Sequence, residues 1–213
     1  MYLPSHFAET DRAVLHRLMQ DNPLSTLTTL TSSGLNADHI PLLLSPDEGA
    51  HGVLRGHVAR ANPVWREHLP ESGALAIFQA SDAYISPGWY SSKKENGKAV
   101  PTWNYAVVHA AGSLRIVDDI EWLRALLTRL TAHHEASMPK PWTLTDAPAD
   151  YIDKMLGAVV GIEIEIASLT GKWKVSQNQP AQNHAGVVAG LRALGQPGAD
   201  EMAALVASRA KTE

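Results

Sequence analysis

The residues most capable of chemistry in this chain lie in one run, Leu54-Arg55-Gly56-His57-Val58-Ala59-Arg60-Ala61-Asn62-Pro63-Val64-Trp65. The run reads as a strand passing directly into a short helix. Asn62 suits the N-cap and Pro63 the first helical position. A helix N-terminus offers free N–H groups and the positive end of its dipole. An arginine beside it can grip a phosphate through two hydrogen bonds. His57, Arg60 and Asn62 thus form a candidate cradle for a phosphorylated ligand in a chain with no P-loop. The competing reading is an ordinary strand-to-helix turn with a solvent-facing arginine.

Three other constellations carry polar or aromatic chemistry. Asp82–Tyr90 and Val100–Tyr105 flank a polar stretch and are dense in Trp and Tyr. Such rings pair a large apolar surface with one polar handle. They suit a planar ligand or a partner subunit, or else staple a hairpin in the core. Gly171–Pro180 is rich in amides and hydroxyls, which match a heteroaromatic edge of mixed donors and acceptors; otherwise it is a polar connector. His133-His134-Glu135 is the tightest histidine cluster. Adjacent helical residues point about 100° apart, so the two rings do not share an ion, and no metal site is expected. No GxGxxG, GxxxxGK[ST] or GxSxG motif is present.

Composition bounds the function. The 213 residues include no cysteine, which excludes disulfides, zinc–thiolate and iron–sulfur sites, and thiol nucleophiles. The formal net charge of −4 is a poor footprint for a nucleic-acid binder. The N-terminus lacks a secretory pattern, and no apolar run is long enough to span a bilayer. The expectation is a soluble cytoplasmic protein.

Elements that must position these residues follow from periodicity. Glu9–Asp21 reads as a helix capped by Thr10. Short β-branched runs follow at Leu24–Thr31, Ile40–Leu44, Val53–Ala59, Ala74–Ala80 and Tyr84–Ser86, with Ser33-Gly34 and Ser45–Gly49 as turns. Ser91–Lys98 reads as a mobile loop. Tyr105–Val117 is a long strand with Gly112 as a candidate bulge. Ile120–Ala136 is the clearest helix, and a second runs near Ala149–Leu156. Val160–Ile166 alternates as a strand with one buried face. Helices at His184–Leu194 and Asp200–Arg209 close the chain. They outline a helix-turn-helix, but Asp200 and Glu201 open the last helix, and Arg209 and Lys211 fall at its end. Direct DNA reading is therefore doubtful, and an amphipathic cap is expected. Short turns between strands favour a closed antiparallel barrel with peripheral helices over a βαβ order.

Several segments, in order, resemble one family: Met1–Phe7, His39–Leu44, Leu54–Trp65, Tyr84–Tyr90, Val100–Tyr105 with His109, and Lys174–Pro180. They resemble the PaiB-type FMN-binding negative transcriptional regulators, a family similar to the pyridoxine 5′-phosphate oxidase-like split barrels. The resemblance implies a mainly β, Greek-key-like split barrel over residues 1–175. A C-terminal helical extension, 176–213, would pack on the barrel or on a partner subunit. It also implies a homodimer with FMN at the subunit interface. His39 and Pro41 would lie on the strand under the isoalloxazine ring. His57, Ala59, Arg60 and Asn62 would hold the phosphate and ribityl end. Trp103, Asn104, Ser176, Gln177 and Asn178 would approach the flavin. The chain departs from the family pattern at Val175, Gln179, Gly88 and the pair Asn183-His184. Two alternatives stand beside the regulator: a flavin oxidoreductase acting on a small molecule with NAD(P)H, and a barrel for haem or another planar ligand. His39, His57 and His109 are the candidate acids or bases, since histidine alone titrates near neutrality unperturbed.

Overall fold

The computed structural model describes residues 1–93 and 97–210. Its strands are β1 (Ala8–Glu9), β2 (Leu24–Thr31), β3 (Gly34–Pro41), β4 (Leu43–Ser45), β5 (Val53–Ala59), β6 (Ala74–Ile85), β7 (Thr102–Val117) and β8 (Val159–Lys174). Its helices are α1 (Arg12–Asp21), α2 (Val64–Glu67), α3 (Ile120–Glu135), α4 (Ala149–Gly157), α5 (Ala181–Arg192) and α6 (Pro197–Ser208). The sheet order is β3-β2-β6-β7-β8-β5-β4, with β1 paired to β8. Registers are antiparallel for β1–β8, β2–β3, β2–β6, β4–β5 and β5–β8. The class is mainly antiparallel β with peripheral helices, as expected. No helix among the described residues is long and apolar enough to cross a membrane.

The chain divides into two compact units. One holds Met1–Leu18, Gln79–Val108 and Thr170–Glu213; the other holds Met19–Phe78 and His109–Leu169. The residues assigned to a C-terminal extension fall within the first unit. β6, β7 and β8 each have residues in both.

Within the second unit, Leu27, Leu54, Ala76, Phe78, Ile162 and Ile164 are wholly buried. β8 alternates as expected: Val160, Ile162, Ile164 and Ile166 face the core, and Glu163 turns the other way to meet Arg55 and Arg115. Leu123, Ile152 and Leu156 form a core cluster with Trp122, Leu127 and Val159 packed against it. At Gly112 a Cβ would lie 1.9 Å from the Glu165 carbonyl oxygen, so glycine here permits close backbone approach.

Within the first unit, α5 and α6 carry buried Val187, Leu191, Met202 and Val206. The glycines of α5 make room for Trp89: a Cβ at Gly190 would lie 2.3–2.5 Å from its ring atoms. Glu201 of α6 accepts from the Ser81 hydroxyl, and Arg209 donates to Glu9. The amphipathic-cap reading fits these contacts.

Several boundaries differ from the sequence reading. Asp11, not Thr10, caps α1, accepting from the Ala13 amide at 2.8 Å, because β1 occupies Ala8–Glu9. The run expected at Ile40–Leu44 is the end of β3 and the start of β4. Ala74–Ala80 and Tyr84–Ser86 are parts of one strand, and β8 continues eight residues past Ile166. Of the loop expected over Ser91–Lys98, residues 94–96 lie outside the described residues, as does Lys211.

Candidate functional site

In the second unit, β5 buries Leu54, Gly56 and Val58 and turns Arg55, His57 and Ala59 to the opposite face. His57 sits across the ladder from Gly161. A Cβ on Gly161 would lie 2.3 Å from Trp122 Cζ3, so the indole fills the space that a side chain would take there. His57 Nδ1 is buried and meets no hydrogen-bond partner among the described residues. Burial pushes the imidazole below the ordinary histidine value, which keeps it neutral near pH 7.

The junction forms as read from sequence, and its side chains are largely occupied by the fold. Arg60 donates Nη1 and Nη2 to the Asp118 carboxylate at 2.9 and 2.6 Å. It also donates Nε to the Gly157 carbonyl at 2.8 Å and Nη2 to that of Val159 at 3.0 Å. Four of the five guanidinium N–H groups are thereby engaged. Asn62 Oδ1 accepts from the Val64 amide at 2.9 Å and its Nδ2 donates to Asp38 at 2.8 Å, while the helix begins one residue later than read, at Val64 with Pro63 in the cap position. α2 has a single turn, Val64–Glu67, too short to develop a strong terminal dipole. Trp65 locks the turn by donating to the Arg60 carbonyl at 3.0 Å.

His39, Pro41 and Ala37 lie on the exposed face of β3, with Leu35 83% exposed. Their ladder partners on β2 are Thr26, Leu24, Thr28 and Leu30. Leu24 is 63% exposed, so this face of the hairpin is largely apolar and open to solvent. His109 is half-buried, and burial lowers its pKa.

In the first unit, β7 and the end of β8 bring Asn104 and Ser176 together. Asn104 Nδ2 donates to Ser176 Oγ at 2.9 Å, and both residues are buried. Ser176 is the one non-glycine residue at positive φ, 67°, among the described residues. Gln177 closes this turn on itself: its Oε1 accepts from the Val175 amide at 2.8 Å, and its Nε2 donates to the Trp173 carbonyl. A cavity of about 180 Å³ opens here, and Tyr90, Thr102, Asn104, Lys174, Ser176 and Asn178 line it together with Val100 and Gln179. Trp103 is exposed and stands edge-on to Tyr84 with centroids 6.1 Å apart.

Of the departing positions, Gln179 and Asn183 bond to each other at 3.1 Å. Asn183 also accepts from the Ser92 amide at 3.1 Å, tying residues 91–92 to α5. His184 is buried with neither ring nitrogen bonded. Sequence reasoning singled out the segments that hold Tyr90, Thr102 and Lys174 but assigned none of the three to the site. The signal was the period-two spacing Lys172, Lys174, Ser176 along a strand end.

The expected site residues thus fall into two groups, His39 to Asn62 in one unit and Trp103 to Asn178 in the other. Residues 1–168 match the family described as "Putative FMN-binding domain". The chain is 30% identical to the protease synthase and sporulation protein PAI 2 of Bacillus subtilis, over all of both chains. It is 33% identical to the uncharacterized protein AN0679 of Emericella nidulans, covering 98% of this chain and 97% of that one. Among solved structures it is similar to the flavocytochrome Anf3 of Azotobacter vinelandii, with TM-score 0.56, 12% identity, and coverage of 78% and 69%. It is also similar to the FAD and heme binding protein of Mycobacterium smegmatis, with TM-score 0.54, 18% identity, and coverage of 78% and 73%.

Proposed function

This chain belongs to the PaiB-type family of FMN-binding proteins, and from that premise we propose that it is a homodimer acting as a negative regulator of transcription. FMN is the family's cofactor, and its isoalloxazine supplies one- and two-electron redox chemistry when bound. The observation that carries the cofactor reading in this chain is the family match together with His57, whose buried Nδ1 has no partner among the described residues. A neutral imidazole nitrogen held in a dry setting suits a hydroxyl or phosphate oxygen of a ligand. Arg60 enters as a positioning residue: its bonds to Asp118, Gly157 and Val159 fix the end of β5 that carries His57.

The dimer reading is supported by the exposed apolar face of β2 and β3. A solvated sheet face is ordinarily polar, and this one carries Leu24, Leu35 and Pro41. The regulatory reading is supported by full-length likeness to a Bacillus protein named for protease synthesis and sporulation. The last helix opens with Asp200, and its Arg209 is paired with Glu9, so a recognition helix gains no support from it. Regulation through a partner protein or a small ligand fits this charge pattern better.

The deciding experiment is the visible spectrum of the purified protein with its extracted cofactor identified by mass. A flavin spectrum releasing FMN is expected. A colourless protein that ignores added FMN overturns the proposal. A gel shift with salt-sensitive, sequence-specific binding would overturn the preference for a partner.

A further inference from the structure

The cavity of the first unit is built around a cation without a counter-charge. Lys174 Nζ donates to Thr102 Oγ1 at 2.5 Å and to the Trp103 carbonyl, both neutral oxygens. An ammonium has three N–H groups, so one remains. Among the described residues, none that lines the cavity is a carboxylate. Two residues earlier, Lys172 is 8% exposed. It donates to the Tyr2 carbonyl at 3.1 Å and lies 5.7 and 5.4 Å from the ring centroids of Tyr2 and Tyr105. Neither lysine has an ion-pair partner among the described residues. Sequestering ammonium groups without a counter-ion is costly, and placing two side by side adds repulsion. Burial and the charge of Lys172 accordingly push the Lys174 pKa down.

The neutral groups around this cation are donors. Tyr90 is buried, and burial raises its phenol pKa, so the hydroxyl keeps its proton. Asn104 donates Nδ2 to Ser176 Oγ and retains a second N–H, while the Ser176 hydroxyl donates back to Asn104 Oδ1 at 3.3 Å and so serves to fix that amide. Ser176 holds its place at a positive φ, a strain that a β-carbon rarely tolerates without support. The volume, about 180 Å³, holds roughly six waters at about 30 Å³ each. Whole-ligand pockets run from about 300 Å³ upward, so this one suits a headgroup.

We propose that this cavity is a subsite for an oxyanion, a phosphate or carboxylate group carried by a ligand, with Lys174 as its counter-charge and the Tyr90 hydroxyl and the second Asn104 N–H as neutral donors. Only the source of the group rests on the flavin reading: it is either the phosphate of FMN or the acidic group of a second small molecule.

The full chain freed of flavin is titrated with sodium sulfate at constant ionic strength, following the amide resonances of Asn104 and Ser176. The same chain and Lys174→Met are then titrated with FMN and with riboflavin. Saturable sulfate binding at these amides, weakened at least tenfold in Lys174→Met, is the expected result. A tenfold or greater loss of the preference for FMN over riboflavin in the variant identifies the FMN phosphate as the occupant. An unchanged preference, with sulfate binding lost, assigns the site to a second ligand. If Lys174→Met does not fold, the location of sulfate in the unaltered chain decides, with shifts centred on Ser176 and Asn104 expected. Sulfate that fails to saturate there, or binds the variant equally well, with an unchanged flavin preference overturns the proposal. A protein that binds sulfate at Lys174 but neither flavin refutes the cofactor reading and leaves this one standing.

Discussion

Single side chains divide here into those the fold has already used and those it leaves open. Arg60 illustrates the first kind, with a bidentate carboxylate and two carbonyls on one guanidinium. His57 illustrates the second. Burial holds its folded-state pKa below the ordinary 6.5, so below that pH the unfolded chain binds more protons than the folded one. The sign follows: this stability is fully present above pH 6.5 and is lost as the pH falls below it, and His109 acts in the same direction. The urea midpoint is therefore expected to drop between about pH 7.5 and about pH 5.5, with a shallower slope in His57→Asn. Equal slopes in the two proteins would remove His57 from the buried set. His184 is a starker case, buried with both ring nitrogens unbonded. Replacing it with methionine removes that penalty at similar volume, so His184→Met is expected to raise the unfolding free energy by on the order of 1 kcal/mol. A loss of stability would mean that the imidazole has a partner, such as a bound ligand.

At the scale of elements, glycines mark where one segment leans on another. α5 accepts Trp89 against Gly186 and Gly190, whereas Gly198 in α6 has nothing within 4 Å of its would-be Cβ. Alanine improves helix propensity by about 1 kcal/mol at best. At Gly190 that gain is opposed by a collision with the indole, and overpacking costs about 1–3 kcal/mol. Gly190→Ala should therefore destabilise and alter the near-ultraviolet dichroism of Trp89, while Gly198→Ala should be neutral or stabilising. Matching effects at both positions would show that the Trp89 contact carries no weight. The same contacts explain what periodicity could reveal. β2 alternates without interruption and β5 does so from Leu54 onward, and the bounds of both are readable to the residue. β6 reads as two strands because its buried positions switch parity, from Ala74, Ala76 and Phe78 to Ala83 and Ile85. β8 reads as stopping at Ile166 because alternation lapses over residues 167–170 and does not resume in Gly171–Trp173, where all three residues are buried. The strand-to-helix junction was legible because Asn62 and Pro63 act locally. The occupation of Arg60 was not, because Asp118 lies 58 positions away. Within Gly171–Pro180 the amides and hydroxyls draw the reading, and Lys172 and Lys174 do not, because lysine on a strand ordinarily means solvent.

For the molecule as a whole, the open question is what covers the β2–β3 face. Leu24 pairs with Pro41 and Leu30 with Leu35 across the ladder, so apolar side chains cluster in register on a solvent-facing surface. Directly opposed residues on one face stand about 5 Å apart, so each pair forms a compact apolar spot, with Thr26–His39 and Thr28–Ala37 lying between the two. A second copy offers the same surface, and a two-fold axis lets the patch meet itself. The chain at micromolar concentration is thus expected to sediment as a dimer. Leu35→Asp, which places a charge at the most exposed of these leucines, is expected to shift it toward monomer with little change in far-ultraviolet dichroism. Desolvating that carboxylate in an apolar contact costs more than one buried leucine contributes. If FMN lies at this interface, the same substitution weakens FMN binding in parallel with dimer dissociation, and raising the protein concentration restores both. A wild-type chain that sediments as a monomer, or a Leu35→Asp dimer with undiminished FMN affinity, would move both the interface and the flavin away from this face.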